Sequence, residues 1–218
     1  MGSGTVRIER NRHSLARPWT YELLDQRQRQ IARTVRAGEP GVLLLSEVSP
    51  VITYGRRTNP GDLLLDAQAL AVKGISLYPT DRGGFATYHG PGQWVLFAVD
   101  RLDRLTGDPR GVKKVITGLL EGACEVAAKY LLKECGIGEG PELGVWSAAG
   151  KCAAVGIYVD QDVVLHGLSI NVYPTETSFV GVKPCGLNAP VDFIGTQAVF
   201  ESVGDDLIEA VKRKLWRT

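Results

Sequence analysis

Cys185 is the residue whose type and setting are most typical of covalent catalysis. It lies in the segment GVKPCGLNAPV, between Pro184 and Gly186, which is too interrupted to form a helix or a strand. A cysteine in such a rigid turn can act as a nucleophile if a neighbouring cation or base lowers the pKa of its thiol. The structural alternative is a small apolar side chain packed under a loop.

The other cysteines are typical of structural thiols. Cys124 lies on the apolar stripe of a predicted helix, Cys135 at the end of that helix, and Cys152 in a strand-like run. The spacings do not form the paired C-x-x-C of a zinc site, and a chain of 218 residues does not need a disulfide framework. We therefore expect the reduced thiols of a cytosolic protein. Three scattered histidines without an H-E-x-x-H motif also predict no metal site.

Three side chains are candidates for activating the Cys185 thiol, namely Lys151, His89 and His166. Each has a structural alternative, because a lone lysine is usually solvated and a lone histidine usually has a structural role. Lys151 opens an apolar strand-like run, where its ammonium would be partly desolvated. Such a lysine can hold a thiolate and can exchange protons near neutral pH. The pairing depends on the fold, so the residues alone leave the choice open.

The segment DRGGFATYHGPGQWVLFAVD concentrates glycines directly before a hydrophobic run. Gly83, Gly84, Gly90 and Gly92 would let the backbone approach a ligand without side-chain obstruction. Exposed N–H groups in such a loop can stabilise an oxyanion, an effect of about 3 kcal/mol per donor. The structural alternative is a sharp turn in which Arg82 pairs locally.

Several classes of function are excluded. The stretch GVWSAAGKC is not a P-loop, because five residues separate its glycines, Cys152 replaces the Ser or Thr, and Lys151 opens a strand-like run. The formal net charge is +1 with both signs interspersed, so no nucleic-acid partner is indicated. No apolar run approaches the ~20 residues of a membrane span, and no signal-peptide core is present.

Hydrophobic periodicity predicts helices interspersed among strands. The helices are RPWTYELLDQRQRQIARTVRAGE, with Trp19, Leu23, Ile31 and Val35 on one face, DPRGVKKVITGLLEGACEVAAKYLLKECG, capped by Asp108, DDLIEAVKRKLW, and the weaker DLLLDAQALAVKG. The strand-like runs are GVLLLSEV, VITYG, ISLYP, QWVLFAV, GVWSAA, CAAVGIYV and VVLHGLSINV, the last two joined by a turn at residues 160–162. This order lacks regular βαβ alternation. We expect an α/β protein of the α+β type, with a mixed, largely antiparallel sheet flanked by helices. We interpret residues 1–218 as one catalytic domain and give residues 1–5 no structural weight.

Four motifs in order resemble the signature of the lipoyl(octanoyl) transferases. They are RGGFATYHGPGQ, GKCAAVGIYV, VLHGLSINV and KPCG, and the earlier VITYGRRTNPGDLL resembles the first loop of that family. The resemblance covers about residues 40 to 195. It implies the fold of biotin and lipoate protein ligases, and the transfer of an octanoyl group from acyl carrier protein to a lysine of a lipoyl domain.

The resemblance also implies roles for individual residues. Cys185 matches the nucleophile that accepts the acyl group, and Lys151 matches the lysine that lowers the pKa of this nucleophile. The matched acyl-binding residues are Arg82, Gly83, Gly84, Phe85, Ala86, Thr87, Tyr88 and His89, then Ala154, Val155 and Gly156, then Gly167, Leu168 and Ser169. Ser169 stands where the family usually has alanine, and QWVLFAVD is bulkier than the common pattern. These departures leave the preferred acyl length open.

The partners implied are octanoyl-acyl carrier protein as donor, and lipoyl domains of 2-oxoacid dehydrogenase E2 subunits and glycine cleavage H protein as acceptors. No cofactor is expected, because the donor thioester supplies the energy. We also expect no metal, no nucleic-acid partner and no membrane association. We expect a cytoplasmic monomer. Three alternatives stay open: an ATP-dependent lipoate or biotin protein ligase, a non-enzymatic acyl-binding module, and an amidotransferase acting between two lipoyl domains.

Overall fold

The computed structural model describes residues 6–132, 134–186 and 189–216, with the backbone alone at residue 185. Within them the strands are β1 (Arg7–Asn11), β2 (Val42–Ser46), β3 (Val51–Tyr54), β4 (Ser76–Pro79), β5 (Thr87–His89), β6 (Gln93–Val99), β7 (Gly136–Gly138), β8 (Gly144–Trp146), β9 (Lys151–Asp160) and β10 (Val163–Asn171). The helices are α1 (Tyr21–Arg36), α2 (Ala67–Val72), α3 (Leu102–Thr106), α4 (Val112–Leu131) and α5 (Phe200–Lys214).

The strands form two sheets. In the described part of the chain the larger sheet has the order β1-β2-β6-β10-β9-β8-β7, and the smaller has the order β4-β3-β5. Neighbouring strands are antiparallel, except that β1 pairs parallel with β2 and β3 pairs parallel with β4. The predicted mixed, largely antiparallel sheet with flanking helices is therefore confirmed.

Both faces of the larger sheet are covered, which explains why β2 and β6 are continuous apolar runs. Leu43, Leu45 and Leu96 face the side on which α4 and α5 pack. Their neighbours Leu44 and Phe97 face the opposite side, with α1. Successive side chains of a strand point to opposite faces, so one run of sequence contributes to two cores.

A tight hairpin joins β9 to β10. Asp160 pairs with Val163, and the two loop residues Gln161 and Asp162 have positive φ values of 47° and 68°. Positive φ at both positions matches the type I′ turn, whose twist suits a two-residue hairpin. The turn predicted at residues 160–162 is confirmed. It places the motifs GKCAAVGIYV and VLHGLSINV side by side on β9 and β10.

Some local expectations were wrong. Helix α1 begins at Tyr21, is capped by the Thr20 hydroxyl, and buries Leu24, whereas Leu23 is 40% exposed. Helix α4 begins after Gly111, so Asp108 does not cap it. Strands β1, β5 and β7 lie outside the predicted runs. Among the described residues, none of the helices combines the length and hydropathy that a bilayer span requires.

Candidate active site

The predicted acyl-binding segments converge on one cavity of about 250 Å³. It lies between the glycine segment that precedes β5, the paired strands β9 and β10, and the first turn of α4. The predicted residues that line it are Arg82, Gly83, Gly84, Phe85, Thr87, His89, Ala154, Val155, Gly156, Gly167, Leu168 and Ser169. Its wall is completed mainly by apolar side chains, as is usual for a site that binds an apolar ligand.

Ala86 and Tyr88 point away from this cavity. Both pack in the core beneath the smaller sheet, against Ile52 and Leu70. The Tyr88 hydroxyl lies 2.7 Å from the Thr177 hydroxyl. The strand alternation of β5 explains the division, because Thr87 and His89 face the cavity.

Arg82 fixes the shape of the glycine segment. Its Nη1 donates to the carbonyls of Gly83 and Phe85 at 3.1 and 2.8 Å, and its Nη2 donates to the carbonyl and hydroxyl oxygens of Thr53 at 2.9 and 2.8 Å. The local pairing considered for Arg82 is therefore present, although this residue also lines the cavity. Gly156 allows the segment to approach β9, because a Cβ there would lie 2.9 Å from the Gly83 carbonyl oxygen.

Lys151 is a buried cation. Its side chain is 5% exposed, and its Nζ donates to the Leu143 carbonyl at 3.0 Å and lies 4.9 Å from the centre of the Trp146 ring. Within the described residues no carboxylate comes within 4.0 Å of this nitrogen. Gly144 makes room for the lysine, since a Cβ at that position would lie 2.8 Å from Lys151 Cε.

A much smaller cavity adjoins Lys151. Its lining comprises Thr87, Lys151, Ala153, Ala154, Ser169, Asn171, Phe179, Pro184 and Val191. Thr87, Ala154 and Ser169 also line the larger cavity, so the two cavities adjoin one another.

The turn that carries Cys185 is anchored near Lys151 on both sides. Pro184 lines the small cavity beside Lys151, and the Pro190 carbonyl accepts a 2.9 Å hydrogen bond from the Lys151 backbone N–H. Residues 184–186 form a 3₁₀ turn. The Cys185 side chain lies outside the described residues, so the predicted cysteine–lysine dyad stays a prediction.

His89 is held in one tautomer by a chain of hydrogen bonds. Gln93 donates its Nε2 to Asn171 Oδ1 at 2.8 Å and to the Tyr88 carbonyl at 3.3 Å, so Gln93 Oε1 must accept from His89 Nδ1 at 2.6 Å. Asn171 in turn donates to the Lys151 carbonyl at 3.2 Å. Burial lowers the pKa of His89 to about 3, so the ring is neutral and its Nε2 is an acceptor.

His166 lies far from Lys151. It pairs with Ile157 in β9, six residues from Lys151, or about 20 Å along the strand. Its ring lines the larger cavity beside Phe97, and its Nδ1 lies 3.3 Å from both the Tyr21 hydroxyl and Gln28 Nε2. Burial lowers the pKa of His166 to about 4.

The sequence patterns do not predict that Tyr21 lines the larger cavity or that Gln28 contacts His166. Tyr21 and Gln28 belong to α1, whose polar residues Asp25 and Gln28 lie on its buried face. The signal available in the sequence was the spacing of Tyr21, Leu24, Gln28 and Ile31, which share one helical face. Hydrophobic periodicity alone predicts that a polar residue such as Gln28 faces the solvent, so its burial was not expected.

Comparison with known proteins gives consistent matches along the chain. The family model described as the lipoyl protein ligase A/B catalytic domain matches residues 21–215. The chain is 34% identical over 201 residues to an octanoyltransferase from Magnetococcus marinus, a match that covers 90% of this chain and 89% of that protein. It is 38% identical over 166 residues to an octanoyltransferase from Gloeobacter violaceus, covering 76% and 70% of the two chains.

Solved structures with the same fold are more distant in sequence. A crystal structure of lipoate-protein ligase A bound with ATP superimposes with a TM-score of 0.69 at 13% identity, covering 97% of this chain and 85% of that one. The apo structure of biotin protein ligase from Aquifex aeolicus gives a TM-score of 0.51 at 9% identity, covering 96% and 69%. These likenesses confirm the predicted biotin/lipoate protein ligase-like fold.

Proposed function

The chain belongs to the lipoyl protein ligase A/B catalytic-domain family and, within it, to the octanoyltransferases, and we propose that it moves an octanoyl group from acyl carrier protein to a lysine of a lipoyl domain. It is thus an acyltransferase. We further propose that the reaction passes through a thioester on Cys185, assisted by Lys151, and that residues 1–218 act as one catalytic domain.

The observation that carries this mechanism is the environment of Lys151. A buried ammonium is expensive unless an anion or hydrogen bonds offset its desolvation. Within the described residues its close partners are the neutral Leu143 carbonyl and the Trp146 ring. A thiolate at Cys185 would supply the counter-charge, since the turn at residues 184–186 begins at Pro184, which lines the same small cavity.

In the first half-reaction the Cys185 thiolate attacks the carbonyl carbon of the donor thioester. The bond from that carbon to the pantetheine sulfur breaks, and the leaving thiolate takes a proton from the Lys151 ammonium. A free thiol is only a few per cent ionised at pH 7. Lowering its pKa by about 1.5 units raises the thiolate share at least about tenfold.

In the second half-reaction the neutral amine of the acceptor lysine attacks the acyl-enzyme. The carbon–sulfur bond to Cys185 breaks as the amide forms, and the proton lost by the amine returns to Lys151. The ion pair of ammonium and thiolate is then restored. Exchange between thioesters is nearly balanced, while amide formation from a thioester is downhill, so ATP is not required.

The lining of the larger cavity supports an acyl group as the transferred unit. Leu168 and Val155 belong to its wall, together with Phe85, and Gly83 and Gly84 line it with backbone alone. We propose octanoyl-acyl carrier protein as donor and the lipoyl domains of 2-oxoacid dehydrogenase E2 subunits and glycine cleavage H protein as acceptors, with the enzyme acting as a cytoplasmic monomer.

Intact-mass measurement tests the proposal directly. The protein is incubated with octanoyl-acyl carrier protein without ATP and then denatured in acid. We expect a mass increase of one octanoyl group on the wild-type protein and none on Cys185→Ser. The matched control is Cys124→Ser, because this half-buried thiol lies on α4 and should leave the adduct unchanged. Acylation that requires ATP and free octanoate would favour the ligase alternative instead.

A further inference from the structure

The orientation of the Gln28 amide is fixed by its partners. Its Oε1 accepts a 2.7 Å hydrogen bond from the His166 backbone N–H, which can only donate. Its Nε2 donates to Asp25 Oδ1 at 2.6 Å. The nitrogen of the amide therefore also faces His166 Nδ1 at 3.3 Å.

The same contacts fix the tautomer of His166. Because Gln28 Nε2 can only donate, Nδ1 is the acceptor, and the Tyr21 hydroxyl then donates to the same atom at 3.3 Å. A neutral imidazole then carries its proton on Nε2. This N–H is buried in a side chain that is 1% exposed and has no hydrogen-bond partner among the described residues.

The backbone of His166 departs from the strand to produce this arrangement. Its φ is +60°, in the left-handed region that is unfavourable for a residue with a Cβ. Its backbone N–H points to Gln28 in α1 instead of to a neighbouring strand. Such local strain is typical of positions whose side-chain placement has a function.

The position of His166 corresponds to the far end of a medium-length acyl chain. Ser169, which lines both cavities, lies three residues from His166 on β10, or about 10 Å along the strand. An octanoyl chain whose carbonyl carbon lies beside Ser169, where the two cavities adjoin, has seven carbon–carbon bonds of about 1.5 Å and spans about 9 Å when extended. Its methyl end would thus reach the neighbourhood of His166.

We propose that His166 is a specificity-determining residue that limits the acyl chain to about eight carbons through the unpaired Nε2–H, an inference that rests on the proposed acyl transfer. Tyr21 and Gln28 act as positioning residues that hold the proton on Nε2. The Nε2–H would also bind an acyl chain that carries a hydrogen-bond acceptor at its far end.

The selection arises from hydrogen bonding in addition to shape. Beside an octanoyl chain, Nε2–H can keep a water as partner. A longer apolar chain displaces that water and leaves the donor buried without a partner, which lowers binding by about 5- to 150-fold. A terminal hydroxyl replaces the water and avoids this loss.

Two isosteric donors test the proposal, namely nonanoyl- and 8-hydroxyoctanoyl-acyl carrier protein, which have equal numbers of heavy atoms. In the wild type we expect kcat/KM for the hydroxylated chain to exceed that for nonanoyl by at least about fivefold. In His166→Leu, which has similar bulk but no donor, we expect the ratio to fall below one. An unchanged ratio in His166→Leu would overturn the proposal.

His166→Asn is the matched variant, since asparagine tolerates left-handed backbone and keeps N–H donors. It should retain a preference for the hydroxylated chain, and loss of that preference would contradict the proposal. Melting curves check that each variant is folded. If the wild type transfers no octanoyl group, the proposed function fails. Calorimetry with nonanoic and 8-hydroxyoctanoic acids then decides the role of His166 separately.

Discussion

Lys151 and His166 occupy opposite ends of the same pair of strands, and both are almost completely buried. Around Lys151 the close described partners are a carbonyl and an indole ring, both neutral. Around His166 lie charged groups of both signs: Asp25 and Asp81 raise its pKa, whereas Arg82 and Arg29 lower it. Because these charges oppose one another, burial dominates the pKa of His166, and the imidazole stays neutral.

In the proposed function the two adjoining cavities serve different tasks. In the proposed mechanism the Lys151 end holds the Cys185 thiolate, because the close described partners of the ammonium do not neutralise it. The His166 end has its charges balanced, so it presents a directed N–H without net charge. In this proposal the two ends differ in the charge that their described neighbours leave unbalanced, since both side chains are similarly buried.

The largest expected effect comes from removing the charge at the reacting end. In Lys151→Met the rate of octanoyl transfer should fall by about 10²–10⁴-fold, since proton transfer and the counter-charge are both lost. Alkylation of Cys185 by iodoacetamide at pH 7 should slow by about tenfold, because the thiol is no longer ionised. Peptide mass mapping of the alkylated site measures the alkylation rate of Cys185.

Lys151→Arg separates the two roles of the lysine. Arginine keeps the positive charge but does not exchange protons near neutral pH. Alkylation should therefore stay fast while transfer remains slow. Equal alkylation rates in Lys151→Met and the wild type would refute the idea that the ammonium holds the thiolate, and the two ends would no longer differ as described.

An intermediate effect is expected at Gly156, which lies between the two ends. In Gly156→Ala the new methyl group would lie 2.9 Å from the Gly83 carbonyl oxygen and 3.3 Å from Arg82 Cδ, so the glycine segment must shift. We expect KM for the donor to rise by about tenfold and the free energy of unfolding to fall by about 1–3 kcal/mol. Steady-state kinetics measures the KM for the donor, and urea unfolding measures the free energy of unfolding.

Gly136→Ala is the control for this substitution. It lies in the same sheet, and an added Cβ meets no atom within 4 Å. Its free energy of unfolding should change by less than about 0.5 kcal/mol. If both variants behave alike, close packing of the glycine segment on β9 has no bearing on the donor.

The smallest effect is the pH dependence of stability at the recognition end. The pKa of His166 is lowered from 6.5 to about 4 by burial, so the unfolded chain binds a proton below about pH 6.5 that the folded protein takes up only near pH 4. The free energy of unfolding should therefore fall as the pH drops from 6.5 to 4. His89, with a pKa lowered to about 3, adds to the loss in the same direction.

His166→Leu should flatten this dependence by about 2–3 kcal/mol between pH 6.5 and 4. Urea unfolding at several pH values measures the slope. The variant His13→Gln gives the baseline for losing a histidine outside the cavity, where the ring contacts Ser49. A slope equal to that of the wild type in His166→Leu would mean that this imidazole is not kept neutral by burial.

The sequence predicted the parts of the fold and site that depend on local patterns. The polar residues 160–162 between two strand-like runs predicted the β9–β10 hairpin, and the apolar run that Lys151 opens predicted partial desolvation of its ammonium. The glycines after Arg82 indicated a backbone without side-chain obstruction, and Gly84 and Gly92 have positive φ values of 94° and 85°, which favour glycine. In each case the cause lies within a few residues of the effect.

The remaining features depend on contacts between distant segments. Gln28 is buried because the His166 backbone N–H has left the sheet, and neither residue predicts this by itself. Leu23 was assigned to the buried face because periodicity counts apolar residues, whereas α1 buries Asp25 and Gln28 to meet polar groups on β10 and near β4. Strand β5 was read as loop because its three residues pair only through β3.

The four hydrogen bonds of Arg82 have a consequence for how the site can open. They fasten the glycine segment to Thr53, so this side of the cavity moves only together with the smaller sheet. The opposite side includes Pro141 in an exposed single-turn segment at residues 140–142. A synthetic acyl analogue with a bulky middle section should therefore displace the Pro141 turn first, and cross-linking that turn to α4 should exclude such compounds while still admitting straight chains.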